Sequence, residues 1–421
     1  ASNYTVENVS PTNSNQQVVR LDQRISDKDQ LFVRLSRFDD SENSVGLSTS
    51  GTTIYNYPRG YVIGYTRLIS PRIVNDVRIG AQRYRFNDLN DSYGTDYPSK
   101  LGLPTFNAES GSLQFPSISL SNISAVSGAF TLPVLRAENT FQYADTLTLN
   151  LGRHSITAGG DFRAFQQNNY QPQTLSGSYS FTGVFTGKTG ASYTTGLADF
   201  LLGLPATQSI LDESGYRAQY VRNKQFDLFV QDNYHVLQRL TLNVGLRWER
   251  PGNWTDVLNR WGWFDADAGE LVYPRHSQMP YTTFPYPARF DDSNAIKRAV
   301  NLQFSPRFGF AFRPFNNNGT VVPAAYGLFQ VQDIINPVNN AGTAPPFYLR
   351  QTVTSGSTTP QLEFGVFPST TGNALLPTNP SFITIDPRHF RSGYVQQWNA
   401  GIEHEFPAGI AGKLSYVGSR S

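Results

Sequence analysis

Cysteine is absent from this chain of 421 residues, methionine occurs once, and charged residues make up only 16% of the sequence. Without cysteine there are no disulfides, thiolate metal ligands or thiol nucleophiles, although many exported proteins avoid the residue, so its absence does not define a compartment. Ordinary soluble domains carry about 25% charged residues, so the polar surface here must consist mainly of Ser, Thr, Asn and Gln. The 34 basic and 32 acidic residues leave a net charge of +2. No global field attracts nucleic acid, and a nucleic-acid partner is not expected.

Long apolar runs are missing too, and the mean hydropathy is −0.37. No run approaches the roughly 18 residues that a membrane-spanning helix needs, so transmembrane helices are excluded. Residues 1–10 lack both a basic region and an apolar core, which means that a signal peptide is absent or has been removed. Aromatic residues are abundant at 13% and occur along the whole chain, which excludes intrinsic disorder.

Apolar and polar residues alternate with the period of a β-strand over most of the sequence, and helix signals are weak. In 240–250 one face consists of Leu240, Leu242, Val244, Leu246 and Trp248. The opposite face consists of Thr241, Asn243, Gly245, Arg247 and Glu249. The segments 138–151 and 301–313 repeat this pattern, the latter with Phe304, Phe308, Phe310 and Phe312 on its apolar face. The sequence therefore predicts an all-β protein.

The predicted strands form six hairpins with short connections. They pair 16–25 with 31–38, 60–69 with 73–85, 138–151 with 155–167, 217–236 with 239–250, 301–313 with 320–330, and 393–406 with 412–420. Much longer stretches separate the hairpins, at 39–59, 86–137, 168–216, 251–300 and 331–392. Connections longer than about 12 to 15 residues are uncommon in compact soluble domains. Short turns at one end and long loops at the other are typical of a transmembrane β-barrel, with about twelve membrane strands here.

Two loop segments have predicted structure of their own. The segment 195–205, TGLADFLLGLP, is bounded by glycine and ends at Pro205, which predicts a loop helix. The segment 257–273, VLNRWGWFDADAGELVY, predicts a hairpin that turns at DAG, and its short arms favour an extracellular position over a membrane pair.

The search for catalytic or metal-binding residues gives weak candidates. The histidines His154, His235, His276, His389 and His404 are scattered and lack the i+4 spacing of a metalloprotease helix, which favours structural or solvent-facing roles. No nucleophile elbow, Walker loop or dinucleotide fingerprint is present. The sequence predicts no catalytic residue, no cofactor and no metal site, and it does not identify the substrate-binding residues.

Three charged groups admit two interpretations each. Asp265, Asp267 and Glu270 faintly resemble a calcium loop but lack its remaining oxygen ligands, so a plain turn is favoured. Asp39, Asp40 and Glu42 lie where a long loop is predicted to begin. They are interpreted as a solvated strand end, which is favoured, or as an ion site. Arg247, Arg307 and Arg313 are predicted to face a lumen, where they either brace the barrel through carboxylates, which is favoured, or bind an anionic ligand.

Several segments, taken in order, resemble a known family. They are LDQRISDKDQLFVRLS, TGLADFLLGLP, FVQDNYHVLQRLTLNVGLRWE, NLQFSPRFGFAFRPFNNNGTVV, YGLF and QQWNAGIEHEFPAGIAGKLSYVGSRS. Together they resemble the barrel of TonB-dependent outer-membrane receptors, especially the Oar-like subgroup, over most of the chain. Pro323 stands where such sequences often carry arginine, so an irregular strand is expected there.

The resemblance implies energised uptake through a 22-stranded barrel that holds a plug domain and a TonB box. We therefore expect residues 1–421 to be one partial barrel domain, an internal fragment in a Gram-negative outer membrane. The expected partners are membrane lipid, the TonB protein through parts absent from this chain, and an unidentified extracellular ligand such as a glycan or peptide. The alternatives are a passive porin or adhesion barrel, and a secreted carbohydrate-binding β-protein.

Orientation and edges follow from the hairpins. If the short turns are periplasmic, 16–25 runs inward and 412–420 runs outward, so one strand is expected before residue 1 and residues 1–15 are expected to form the first extracellular loop. The strands at 16–25 and 412–420 are expected to have unpaired edges. Leu240, Leu242, Val244, Phe308 and Phe310 are expected on the outer face.

Overall fold

The computed structural model describes residues 9–421, apart from 47–48, 107, 124–126, 129, 188–195, 213–217, 278, 280–282, 298–302, 316–318, 333–334, 357–358, 368–385, 389 and 391. Twelve long strands in this part form one sheet. They are β1 Thr12–Arg24, β2 Asp29–Ser44, β3 Thr52–Ser70, β4 Ile73–Asn90, β6 Val134–Leu151, β7 His154–Tyr170, β10 Gln219–Leu237, β11 Leu240–Arg250, β17 Gln303–Phe312, β18 Thr320–Gln330, β20 Tyr394–Phe406 and β21 Ile410–Arg420.

Each of these twelve strands lies antiparallel to the one before it, in chain order across the sheet. All six predicted hairpins are present, and the predicted number of membrane strands is confirmed. Within the described residues, β1 pairs only with β2 and β21 only with β20, so the sheet is open at both edges. Every residue of β1 is exposed, as expected for an edge strand without a second neighbour.

The sheet has one apolar face and one polar face. Val244 and Phe308 are 50% and 49% exposed on the apolar face, and they lie opposite each other on β11 and β17. Leu240, Leu242 and Phe310 lie on the same face and are partly exposed. The cores that the structure describes lie elsewhere, so these side chains remain a free surface, as a lipid-facing wall requires. We call the apolar face the outer face and the polar face the inner face.

Shorter elements occupy the long connections. The strands are β5 Ser117–Leu120, β8 Ser178–Phe181, β9 Thr207–Asp212, β12 Trp254–Asp256, β13 Trp263–Asp265, β14 Glu270–Pro274, β15 Ala288–Asp291, β16 Ala295–Lys297 and β19 Leu349–Thr354. The helices are α1 Tyr97–Lys100, α2 Gly196–Leu201 and α3 Asn336–Ala341, with 3-10 turns at Ser110–Ser112 and Pro407–Gly409. None of the helices in the described part is long or apolar enough to cross a membrane.

Both predictions of loop structure are confirmed. Helix α2 lies within the predicted 195–205, and β13 pairs with β14 across the predicted turn. The hairpin joins β15 in a separate three-stranded sheet, so it is not a membrane pair. A second separate sheet has the order β19-β9-β8-β5 and combines strands from three different long connections.

The buried core of the protein lies among the long connections. Four apolar clusters hold them together, and each combines residues from at least two connections. One cluster joins Leu113, Leu175, Leu211 and Tyr348. The four longest connections are 91–133, 171–218, 251–302 and 331–393, and we call the packed assembly of their described residues the loop body.

Three expectations need correction or are refined. The stretch 39–59 is not a long loop, because β2 continues to Ser44 and β3 begins at Thr52, and their ladder pairs Asp40 with Asn56. Residues 12–15 belong to β1, so they are not part of a first loop, because they pair with residues 39–42 of β2. The irregularity at Pro323 is confirmed: the β18–β20 ladder pairs Val321 with Glu403 and resumes only at Ala324.

Candidate functional site: the inner wall and the loop body

Three carboxylates lie side by side on the inner face. Asp161 of β7 is opposite Asp227 of β10, and Asp227 is opposite Glu249 of β11. Directly opposed like charges destabilise a sheet, so this row requires counter-charges. Arg247 supplies one, with its guanidinium 2.8 Å from Asp227 and 2.9 Å from Glu249, and Arg163 lies 2.8 Å from Asp161. The bracing interpretation of Arg247 is therefore confirmed.

Arg307 has a different environment on the same face. It lines a concavity of about 410 Å³ together with the amides of Gln231, Asn243, Gln397 and Asn399. Its guanidinium lies 4.7 Å from the centre of the Phe329 ring, and none of the ion pairs between described residues involves it. Phe329 in turn lies over Gly327, where an added Cβ would be 2.9 Å from the ring. A guanidinium with free donors among amide groups has the chemistry to bind an anionic or hydroxyl-rich group.

Arg313 differs from the other two arginines. It follows the last residue of β17 and is exposed at the short-turn end, where its backbone N–H donates to the carbonyl of Arg239 over 2.8 Å. Strand β17 ends at Phe312, and Pro314 has no N–H to extend the ladder, so the role of Arg313 in lining the lumen stays a prediction.

The loop body is packed onto the inner face of the sheet. Phe165 of β7 and Val221 of β10 point to that face, and they pack against Trp254, Trp261 and Trp263 of the connection 251–302. Phe165 and Trp254 make an edge-to-face contact with ring centres 5.4 Å apart. The long-loop end of this wall is therefore covered from within.

The turn between β13 and β14 is held by two arginines from elsewhere in the loop body. Asp265 accepts hydrogen bonds from Arg289 at 2.6 Å and from Arg388 at 3.0 Å, and Arg289 also lies 2.5 Å from Glu270. Burial alone would raise the pKa of Asp265, but these hydrogen bonds outweigh it, so the pKa lies below its usual value. Gly269 donates to the Asp265 carbonyl at a φ of +70°, which closes the turn. The plain-turn interpretation of this segment is confirmed.

The remaining candidates are bonded within the sheet. Asp39 lies on β2 and pairs with Arg37 at 2.6 Å and with Arg59, while Asp40 accepts from Asn56 over 3.2 Å. Glu42 lies on β2 opposite Thr12. The prediction that these residues open a long loop is therefore wrong, because β2 extends past them to Ser44.

The described histidines do not converge. The ring Nδ1 atoms of His154, His235 and His404 lie 2.6 Å from Asp232, 3.1 Å from Thr241 and 2.7 Å from Thr320. His276 is exposed in a loop, and His389 lies outside the described residues. In the part of the chain that the structure describes, no three His, Asp or Glu side chains are grouped so that they could hold a metal ion.

Sequence reasoning missed Asp161 and Asp227 as members of the charged row. The sequence does predict that both residues lie on the polar face, because Asp227 precedes the apolar Leu228 and Asp161 precedes the apolar Phe162. The register that places them opposite each other depends on which strands are neighbours, and composition does not contain that information.

The comparisons with known proteins agree with this architecture. The whole chain, residues 1–421, matches the family described as an outer membrane beta barrel domain. Among solved structures it is similar to the outer membrane transporter YddB from Escherichia coli, with 11% identity and a TM-score of 0.54, covering 96% of this chain and 39% of that one. It is also similar to FpvA of Pseudomonas aeruginosa bound to an iron pyoverdine, with 10% identity and a TM-score of 0.50, covering 97% and 41%. No curated protein matches.

The chain therefore belongs to the outer membrane β-barrel family, and its place is the outer membrane of a Gram-negative bacterium. At these low identities the likeness to the two solved structures shows the fold alone. The chain spans 39% and 41% of their lengths. The secreted carbohydrate-binding alternative is wrong, because the family and the exposed apolar face both require a membrane.

Proposed function

We propose that the protein containing this chain is a TonB-dependent receptor of the Oar-like subgroup, which takes up a ligand across the outer membrane without catalysis. The observation that carries the proposal is the open wall of twelve strands, whose inner face is polar and partly covered by the loop body. A closed barrel of twelve strands would join β1 to β21, whereas a wall of this width that stays open fits a larger barrel. Barrels of 22 strands in the outer membrane are transporters with a plugged lumen.

The ligand is proposed to bind at mid-height of the inner wall, where Arg307 and its amide neighbours line the concavity. The solved FpvA complex contains an iron pyoverdine. For this chain a glycan or peptide is the class proposed from the sequence, and the hydrogen-bonding amides of the wall support it.

The proposal is tested with the full-length protein and two measurements. The first is binding of the periplasmic domain of TonB to the purified protein, which is expected to require the segment that carries the TonB box. The second is conductance in planar lipid bilayers, where a plugged receptor is expected to show no persistent open channel. Persistent conductance, together with no binding of the TonB domain, would identify a passive porin and contradict the proposal.

The proposal that the chain is a fragment has its own test. Expressed alone, residues 1–421 are expected to aggregate or fail to insert into lipid, because the backbone edges of β1 and β21 have no partner in the described sheet. Cross-linking of β1 to β21 in a folded, monodisperse preparation would instead show a complete small barrel.

A further inference from the structure

Three arginines lie side by side on the outer face, one on each of three neighbouring strands. Arg37 of β2 is directly opposite Arg59 of β3, and Arg59 is directly opposite Arg83 of β4. They share their face with the apolar residues Leu35 and Tyr61, which lie one pair further toward the short turns. Like charges at directly opposed positions destabilise a sheet, so this arginine row requires negative charge from somewhere.

The protein supplies only part of that charge. In the described structure Asp39 pairs with both Arg37 and Arg59, whereas Arg83 has one hydrogen bond, to the amide oxygen of Asn139 at 3.1 Å. Arg85 lies on the same face of β4, two residues from Arg83, and its neighbour on β6 is Ala137. Among the described residues, Asp39 is therefore the one carboxylate that pairs with any of these four guanidinium groups, and it pairs with two of them.

The height of the arginine row matches a boundary of the membrane. Along β3 the outer face carries Arg59, then Tyr61, Ile63 and Tyr65, then Arg67. At about 3.3 Å per residue, Arg59 and Arg67 are roughly 26 Å apart along the strand, or about 20 Å along the membrane normal for a tilt near 40°. The apolar band of such barrels is about 25 Å tall. The two arginines thus lie within about 3 Å of its two edges, and the arginine row lies on the long-loop side.

We propose that the row Arg37, Arg59 and Arg83 binds the phosphate groups of an anionic lipid in the outer leaflet of the outer membrane. Guanidinium groups match phosphate oxygens in charge and in bidentate geometry. Tyr61 and Ile63, which are 50% and 49% exposed just below the row, provide the apolar surface that acyl chains of the same lipid would cover. This combination of charge above and apolar surface below distinguishes a phospholipid-type ligand from a free anion.

The test uses the full-length protein in detergent and, as probe, bisphosphorylated lipid A, with phosphatase-treated lipid A for comparison. The variant R37Q/R83Q removes the two more accessible arginines and keeps Arg59, which also donates to the backbone carbonyls of Phe38 and Pro58 at 2.6 and 3.0 Å. We expect this variant to bind lipid A about tenfold or more weakly than the wild type, because two charge-assisted contacts are lost. The phosphatase-treated lipid should bind the wild type equally weakly.

The matched control is R34Q/R78Q. It removes the same number of arginines from the same two strands, but Arg34 and Arg78 face inward, opposite Val62 and Gly64. This control should bind lipid A like the wild type, and the single variant R83Q should give an intermediate loss if the double variant does not fold. Three results would each overturn the proposal. They are wild-type affinity of R37Q/R83Q for lipid A, binding of phosphatase-treated lipid A as tightly as untreated lipid A, and full displacement of lipid A by millimolar inorganic phosphate.

Discussion

Single residues on the inner wall differ in ways that the sequence does not reveal. Arg247 and Arg307 both occupy polar positions of alternating strands, and the sequence predicts the same two roles for each. The structure places Arg247 between two carboxylates and Arg307 over an aromatic ring among amides. Alternation predicts which face a side chain points to, but its partners come from neighbouring strands and depend on register.

Replacing Arg247 by glutamine is expected to destabilise the sheet. R247Q leaves Asp227 and Glu249 charged and directly opposed, which should lower the free energy of unfolding by about 1–3 kcal/mol. Denaturant unfolding in detergent measures this change, and adding D227N should recover part of it. R307Q is the control and should change stability by less than about 0.5 kcal/mol. Equal losses in the two variants would contradict the bracing role.

The ion pairs of Asp265 are expected to make the loop body sensitive to acid. Because the pKa of Asp265 is lowered in the folded state, its contribution is present above the unfolded pKa of about 3.9 and is lost as the pH falls through the lower folded value. Amide protection of Asp267 and Ala268, whose N–H groups donate to Asp265, should therefore persist from pH 7 to about 4 and fall below it. In D265A, which removes the acceptor oxygen, that protection should already be low at pH 7.

Substitution of Trp261 tests whether its burial stabilises the core of the loop body. Its side chain is 2% exposed, and its indole N–H has no hydrogen-bond partner among the described atoms. W261A should cost about 3–5 kcal/mol through lost burial and a cavity, whereas W261F should cost much less because no hydrogen bond is lost. Limited proteolysis should cleave the loop body of W261A faster than that of W261F. Equal resistance of the two variants would show that Trp261 does not stabilise the core.

At the scale of elements, the long strands could be predicted and the loop strands could not. Each membrane strand repeats a two-residue pattern over ten or more residues, as in 240–250, and short turns fix its partner. The sheet β19-β9-β8-β5 combines short strands from three connections, and its pairs join residues as far apart as Gln208 and Val353. Four-residue segments such as β5 carry too little periodicity for a prediction.

The interrupted ladder at Pro323 gives a prediction for one element. P323V supplies a backbone N–H and a β-branched side chain, so the β18–β20 ladder should become continuous across Val322 and position 323. We expect slower amide exchange at Gly401 and a gain of about 0.5–1.5 kcal/mol for one added hydrogen bond. A325V, at a position where the ladder is intact, should produce neither effect. If amide exchange at Gly401 is unchanged in P323V, then Gly401, and not Pro323, causes the interruption of the ladder.

At the scale of the whole molecule, the asymmetry of the two ends predicts its orientation. Because the chain has no native cysteine, single cysteines can be labelled without background from it. D27C lies in the first short turn, where the side chain is 93% exposed, and L202C lies in the loop body, where Leu202 is 64% exposed. On intact cells a membrane-impermeant maleimide should label L202C only, and D27C should react after the outer membrane is permeabilised. The reverse pattern would invert the assigned orientation.

The interlocked loop body constrains how this surface can diversify. Its clusters and its four-stranded sheet take residues from several connections at once, so an insertion or exchange in one connection removes packing partners from the others. Surface loops that pack separately can be replaced one by one under pressure from antibodies or phages. Here the connections 91–133, 171–218, 251–302 and 331–393 are coupled, and recombination between homologous genes would preserve a folded exterior only when it transfers all four together.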